Sequence, residues 1–319
     1  MKAIRVLEYG RPPVLTEIPT PDIADDEVLV KVRSTAVNHL DIVEASGAAK
    51  EMFPIELPWT PGHEFSGEVE RTGKNATGFA AGDPVFGDST SGAYAEYVKV
   101  KPAVIARKPS NLSFEEAASV PVASQTAWQA LFAHGRLTKG QTVLIHGGAG
   151  GVGAYAVQLA AHAGATVIVT ASGGDEAFLK SIGANRVIDY RTAKFENELS
   201  SKVDVVFDLV GGDTQTRSFA VLKEGGFLIA ANQPIPLAEL AKHHVSGLTM
   251  NMIPSAKILG QISRLLEENT IRPDVAKIYA LDEVTQAWAH MTGARPGRAA
   301  GQGRPVKART HGKLVIKVA

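Results

Sequence analysis

The sequence predicts an α/β protein in two parts, an antiparallel β region followed by a parallel, doubly wound sheet, and three observations carry that prediction. The first hundred residues hold short alternating or β-branched runs separated by Gly, Pro and Asp clusters. From Asn111 onward, strand-like runs alternate with helical ones, which implies crossovers and a parallel sheet. Between the first of those later strands and its helix stands "IHGGAGGVG" (145–153), far richer in glycine than an ordinary turn requires. A chain of 319 residues has length enough for two domains with substantial cores.

In the β region the expected strands are 27–37, 65–73 and 92–100, with tight turns at "WTPGHE" and "AAGDPVFGD". A Ser-x-x-Glu capping box at Ser113 and Glu116 opens the next segment, whose helical spacing is interrupted at Pro121. Then follow strand "TVLIHG", helix 152–163, strand "TVIVTAS", helix 175–182, strand "RVIDY", a short helix, strand "DVVFDLVG", helix 214–222, strand "FLIAA" and finally "LTMNMI". From Ser255 a helix leads through "KIYALDEVTQAWAHM" to a last strand, "KLVIKV", a tail expected to return to the first domain. The one low-complexity piece, 293–310, is rich in Gly, Arg and Pro and reads as an exposed, mobile loop. No internal repeat is evident.

Composition narrows the function classes. Formal net charge is zero with both signs scattered, so neither a nucleic-acid footprint nor an anionic-membrane surface is indicated, and a small neutral partner fits better. The apolar runs break well before about 18 residues, and a soluble, cytoplasmic protein is expected. With no cysteine, disulfides, thiolate chemistry, Cys-ligated zinc and iron–sulfur clusters are excluded.

The glycine turn lies where a buried strand ends and a helix begins. A helix N-terminus offers free N–H groups and the positive end of the macrodipole, and a pyrophosphate reaches them only where side chains are absent. Gly148, Gly150 and Gly153 satisfy G-x-G-x-x-G, Gly147 and Gly151 remove further Cβ atoms, and Val152 lies within the turn. A dinucleotide is the expected ligand. At the end of the second strand, where an acidic residue would grip a ribose 2′-hydroxyl, Ser172 and Gly173 leave the position neutral. Tyr190 and Arg191 at the end of the third strand offer a hydroxyl and a guanidinium to a 2′-phosphate, which favours NADPH. Asp175 and Glu176 argue the other way, or simply stabilise the first turn of their own helix.

Together "TPGHEFSGEVERTG", "GAYAEYVKV", "SQTAWQAL", "IHGGAGGVG" and "VIDYR" resemble the medium-chain dehydrogenase/reductase superfamily, within it the zinc-free quinone oxidoreductase branch that includes zeta-crystallin. The resemblance implies a GroES-like β-barrel catalytic domain at 1–120 and 256–319, a Rossmann NADPH-binding domain at 121–255, NADPH as reductant and quinones or enones as acceptors. It implies that Thr126 lies against the nicotinamide. Asp175 stands near the place where NADPH-using members often carry Lys, and the 293–308 loop is longer than the family's usual one.

Zinc-dependent members of that superfamily use a catalytic Cys and the His of "GHE". Here Asn38 stands where that Cys would lie, and His39, Asp41, His63 and Glu64 could in principle form an N/O site. We expect no metal and read His63 as a hydrogen-bonded turn residue. His146, on the apolar strand-to-turn edge, is expected to be satisfied by backbone; the other histidines read as surface. Without metal, thiol or a Ser/His/Asp arrangement, the chemistry left is hydride delivery to an acceptor already activated by conjugation. Asn38 can donate its amide to the carbonyl or the cofactor, Asp41 is a candidate orienter, and Trp59, Phe53 and Met252 are candidate apolar lining or core. A non-catalytic NADPH-binding structural or sensory protein is the rival reading, with a zinc alcohol dehydrogenase behind it. The alternating "GLTMNMI" (247–253) is expected to be a sheet edge covered by its twofold copy in a homodimer.

Overall fold

A computed structural model of the chain describes residues 1–293 and 311–319. The mobile loop expected at 293–310, longer than is usual in the family, lies outside the described residues from position 294 onward. The chain divides into two compact units: Met1–Val122 with Pro254–Glu267 and Pro273–Ala319, and Ala123–Ile253 with Glu268–Arg272. Strands are numbered β1–β15 in chain order.

In the first unit β1 (Lys2–Arg5) and β2 (Val14–Glu17) form a hairpin pair. The main sheet is built from β3 (Val28–Ala36), β4 (Glu64–Thr72), β5 (Pro84–Asp88), β6 (Tyr97–Val100), β7 (Ile105–Arg107), β14 (Val275–Ala280) and β15 (Lys313–Lys317). Its order is β14-β15-β3-β4-β5-β7, with β6 also paired to β3. The period of two places Val28, Val30 and Val32 of β3 on one buried face with Phe65, Val69, Val85, Val98 and Ile105. The strand expected over 92–100 is shorter, because Gly92 has φ +86 and the N–H groups of Ala93 and Tyr94 turn to the Pro61 carbonyl instead.

Register brings distant residues to the end of β3. Antiparallel pairing sets Val315 opposite Ala36, and the same register two residues further brings Lys313 level with Asn38. On the other side β4 pairs Phe65 with Thr35, and the Thr35 hydroxyl donates to the Glu64 carbonyl at 2.6 Å. Asn38 then N-caps the helix His39–Ser46, which ends on Gly47 at φ 73.

The second unit holds β8 (Thr142–His146), β9 (Thr166–Ala171), β10 (Arg186–Asp189), β11 (Val203–Asp208), β12 (Leu222–Ala230) and β13 (Ser246–Thr249). All are parallel, in the order β10-β9-β8-β11-β12-β13. That 3-2-1-4-5-6 order is the doubly wound arrangement, with its switch point between β8 and β11. Val143, Leu144, Ile145, Val167, Val169, Val206 and Phe207 are fully buried, as continuous apolar runs of a sheet covered on both faces should be.

Boundaries differ where packing overrides periodicity. The expected helix 214–222 is α-helical only over Asp213–Ser218, tightens to a 3-10 turn at Phe219–Val221 and gives way to β12 at Leu222. The strand expected over 247–253 stops at Thr249, after which Met250 is buried and its N–H bonds the Ala230 carbonyl. The capping box forms as read: Ser113 Oγ accepts from the Glu116 N–H at 3.1 Å, and Glu116 accepts from the Ser113 N–H at 2.8 Å. The tail leaves Glu268–Arg272 in the second unit, where Gln158 bonds both the N–H and the carbonyl of Arg272. Among the described residues, no helix is long and apolar enough to cross a membrane.

Candidate functional site

The glycine turn joins β8 to the helix Gly151–His162, and its glycines are required for different reasons. Gly147 has φ +75 and sits at the switch point, where a Cβ would lie 3.4 Å from Val210 of the β11 end. A Cβ on Gly148 would stand 2.0 Å from Val169, and one on Gly153 would stand 2.4 Å from the Gly147 carbonyl and 2.6 Å from the Gly148 Cα. Both are therefore demanded by packing of the turn against strand and helix. Gly150 is not: the only atom near its Cβ position is the Gly147 carbonyl at 3.4 Å, ordinary contact. No side chain caps the helix that begins at Gly151 and Val152. Bare N–H groups thus face a space that the fold itself leaves open.

Behind the turn His146 is fully buried, and its expected backbone partner is corrected to two side chains. Ser218 donates its hydroxyl to the Thr214 carbonyl, so His146 Nε2–H donates to Ser218 at 3.0 Å, and Nδ1 accepts from Thr170 at 2.9 Å. Burial, aided by the charge of Arg217, lowers its pKa to about 3 and keeps the ring neutral.

The ladder pairs Ala171 with Asp189, so Ser172 and Tyr190 emerge side by side at the ends of β9 and β10. Tyr190 is exposed, and the Arg191 guanidinium lies 5.7 Å from its ring centroid. Ser172 is buried and its hydroxyl donates to the Asp175 carboxylate. Asp175 is therefore more than a first-turn residue: it puts a negative charge on the group read as a 2′-phosphate ligand. A Cβ on Gly173 would lie 2.5 Å from Asp189 Oδ2, so that carboxylate would have to swing aside to admit a side chain.

In the first unit Asn38 is half-buried and both ends of its amide are engaged. Nδ2 donates to Glu64 Oε1 at 2.8 Å, and Oδ1 accepts from Lys313 Nζ at 2.6 Å. Lys313 and Glu64 are themselves a buried ion pair at 2.7 Å, and Glu64 Oε2 accepts from the Val122 N–H at 2.8 Å. Asp41 is fully buried; it accepts from the Asn38 N–H at 2.7 Å, the Tyr94 hydroxyl at 2.9 Å and the Gly62 N–H at 3.1 Å. Burial raises its pKa against the opposing pull of His63, the hydrogen bonds from Asn38 and Tyr94, and Lys313. His63 Nε2 lies 2.7 Å from Glu44 and 3.7 Å from Asp41. Burial pulls its pKa down, but the bond to Glu44 and the carboxylates of Asp41, Glu44 and Glu64 outweigh it and raise the pKa to about 9. Thr126 belongs to the second unit, half-buried in the helix Pro121–Trp128. Trp59 is half-buried and packs against the apolar cluster that includes Ile4, Val6 and Trp288.

Residues 24–110 match the alcohol dehydrogenase GroES-like domain family and residues 182–301 the zinc-binding dehydrogenase family. A 2-methylene-furan-3-one reductase of Solanum lycopersicum is 34% identical over 318 residues, covering 95% of this chain and 78% of the relative. The quinone oxidoreductase from Coxiella burnetii superposes with a TM-score of 0.88 at 34% identity, over 100% of this chain and 99% of that one. The Escherichia coli quinone oxidoreductase complexed with NADPH gives 0.87 at 25% identity, over 99% of this chain and 100% of that one. The chain belongs to the medium-chain dehydrogenase/reductase superfamily. Its quinone oxidoreductase branch is the one these likenesses select, and the two units are the GroES-like and Rossmann architectures expected of it.

Zinc-using members of the superfamily raise the question of a metal here. Among the described residues the one candidate group is Asp41, Glu44 and His63, with ligand atoms within 4.8 Å of one another. The set weighed from sequence is corrected: His39 is exposed, Glu64 is held by Lys313, and Glu44 joins instead. This group does not fit a catalytic zinc. It supplies one nitrogen and two carboxylates where such sites use a thiolate or several imidazoles. Its histidine holds a proton to about pH 9, and Asp41 already accepts three hydrogen bonds. Glu44, Tyr94 and Lys313 were missed in the sequence. The signal for Lys313 was a lysine on the buried face of "KLVIKV", where an apolar residue would be the default.

Proposed function

We propose that this chain is an NADPH-dependent oxidoreductase that delivers a hydride to a quinone or other α,β-unsaturated carbonyl without a metal. The observation that carries the reading is Gly150: the fold leaves its Cβ position open, in front of an uncapped helix start at the switch point of a doubly wound sheet. Relatives named quinone oxidoreductase and furanone reductase, and a neighbour complexed with NADPH, support it.

In this reading residues 121–255 form the NADPH-binding domain, and 1–120 with 256–319 the catalytic one. Gly147, Gly148, Gly150, Gly151, Val152 and Gly153 receive the pyrophosphate, while Ser172, Tyr190 and Arg191 receive the 2′-phosphate. NADPH supplies a hydride from the nicotinamide C4, and solvent supplies the proton that completes reduction. Asn38 donates an amide hydrogen to the acceptor's carbonyl oxygen, where negative charge grows as the hydride arrives. Asp41, buried and bonded to the Asn38 N–H, holds the start of its helix in place. Thr126 packs beside the nicotinamide. The enzyme acts in the cytoplasm on the internal pool of reduced cofactor. It pairs as a homodimer along the open edge of β13, near which Leu237 and Ile253 are exposed at 80% and 71%.

The test is turnover. Purified protein should oxidise NADPH when given a 1,4-benzoquinone or a simple enone, and scarcely oxidise it alone. Binding of NADPH with no oxidation across such a panel would instead make it a binding protein. Light scattering tests the pairing, since a monomer at every concentration would overturn it.

A further inference from the structure

We propose that Lys313 and Glu64 are positioning residues that fix which end of the Asn38 amide the acceptor meets. The inference rests on the reading that Asn38 donates to the acceptor carbonyl. Lys313 Nζ is 2.6 Å from Asn38 Oδ1, Glu64 Oε1 is 2.8 Å from Nδ2, and the two charges are 2.7 Å apart. Turning the amide over would set its NH₂ against an ammonium and its oxygen against a carboxylate, two repulsive contacts in place of two attractive ones. The ring of three groups therefore admits one orientation. Glu64 cannot yield, since it is fully buried and its second oxygen is tied to the Val122 N–H.

Nδ2 carries two hydrogens and Glu64 takes one, so the half-buried face of Asn38 presents an N–H rather than a carbonyl. A cation on Oδ1 also draws density from the amide, strengthening that remaining donor in a low-dielectric setting. A buried ion pair is a poor device for stability alone, because an apolar pair of similar volume would tie the starts of β4 and β15 together without the desolvation cost. What an apolar pair cannot do is choose the orientation of a neighbouring amide.

A double-mutant cycle tests this. Wild type, Asn38→Ala, the charge-balanced Lys313→Met/Glu64→Gln and the combined variant are compared for kcat and KM with a 1,4-benzoquinone, and for NADPH binding by thermal shift. Gln at 64 accepts either amide orientation, so the paired variant should lose about 10- to 100-fold in kcat with NADPH binding unchanged. Adding it to Asn38→Ala should cost nothing more. Lys313→Arg, which keeps the positive charge in a different shape, should lose less kcat than the paired variant. If the combined variant instead loses the product of the two separate losses, Lys313 and Glu64 act on the fold and not through Asn38, and the inference fails while the role of Asn38 stands. If Asn38→Ala alone keeps full kcat, the donor role in the proposed function falls, and the inference with it. Should the paired variant not fold, the polar and equally charge-balanced Lys313→Gln/Glu64→Gln makes the same comparison: its loss must vanish in the Asn38→Ala background or the inference is wrong.

Discussion

The glycine turn and the Asn38 network do their work by opposite means. The turn, 147–153, acts through what it lacks: its residues are consecutive, its groups are backbone, and space decides everything. The Asn38 network acts through side chains gathered from positions 38, 41, 44, 63, 64, 94 and 313, and charge decides everything. A local, steric device tolerates change at few positions but announces itself in sequence. A distributed, electrostatic one is invisible until strands bring it together.

The largest effects are expected in the turn. Gly150→Val adds a side chain where only one protein atom lies near, at 3.4 Å, so the fold should survive while NADPH binding weakens by at least about 100-fold. Gly153→Val drives a Cβ to 2.4 Å from a backbone carbonyl, so it should lower stability by several kcal/mol and lose binding too. Thermal melts with and without NADPH separate the two. A full ligand-induced shift in Gly150→Val would end the phosphate-cradle reading.

An effect of about tenfold is expected at the 2′-end. The Ser172 hydroxyl already contacts a carboxylate, so Asp175→Asn should raise the preference for NADPH over NADH by removing a charge that opposes a phosphate. Ser172→Asp should lower it by about the same factor. Ratios of kcat/KM for the two cofactors measure both, and an unchanged ratio in each would move the 2′-phosphate elsewhere.

Sequence and structure agree most where the signal is local. Alternating strands and helices, the G-x-G-x-x-G turn and the Ser113–Glu116 box are short-range patterns, and each has its counterpart in the fold. Strand ends were less legible: whether 92–96 joins a strand depends on the Pro61 carbonyl, and the length of β12 depends on its neighbour β11. The site was legible by half. Asn38, Asp41 and His63 stood out as the remains of a metal motif, yet Lys313 reaches Asn38 only through the register of β15 on β3, Tyr94 reaches Asp41 only through the turn that bonds its N–H to Pro61, and Glu44, one helical turn from Asp41, meets His63 only once that helix is folded against the start of β4.

The two regions also carry histidines with opposite pH behaviour. His146 has its pKa lowered from 6.5 to about 3, so the unfolded chain takes up a proton that the native one refuses, and stability should fall as pH drops through that window. His63 is raised from 6.5 to about 9, so the native state holds the extra proton, and stability should fall as pH rises through that window. Each limb has a limiting slope of about 1.4 kcal/mol per pH unit, and solvent screening of the 27% exposed His63 ring narrows the window over which its slope applies. Denaturant melts across pH should show His146→Gln flattening only the acid limb and His63→Gln only the alkaline one. A shared response would mean the two regions are not the independent devices described.

The smallest expected effect is none at all, and it bears on the second region alone. The Asp41–Glu44–His63 group has the spacing of a metal site but is already satisfied as a proton site: the His63 proton occupies the place a cation would take, and Lys313 adds a further positive charge beside Asn38. A zinc ion would have to expel that proton and break the 2.7 Å contact with Glu44, with no thiolate in the cysteine-free chain to compensate. Overnight treatment with a strong chelator should therefore leave both quinone reduction and melting temperature unchanged, and elemental analysis should find far less than one zinc per chain. Glu44→Gln sharpens the point. It removes the carboxylate hydrogen-bonded to His63, so it should lower the His63 pKa and shorten the alkaline limb of the stability curve, again without any response to added zinc. Stoichiometric zinc whose removal abolished turnover would reverse the argument, making the region a metal centre and the Asn38 donor secondary to it.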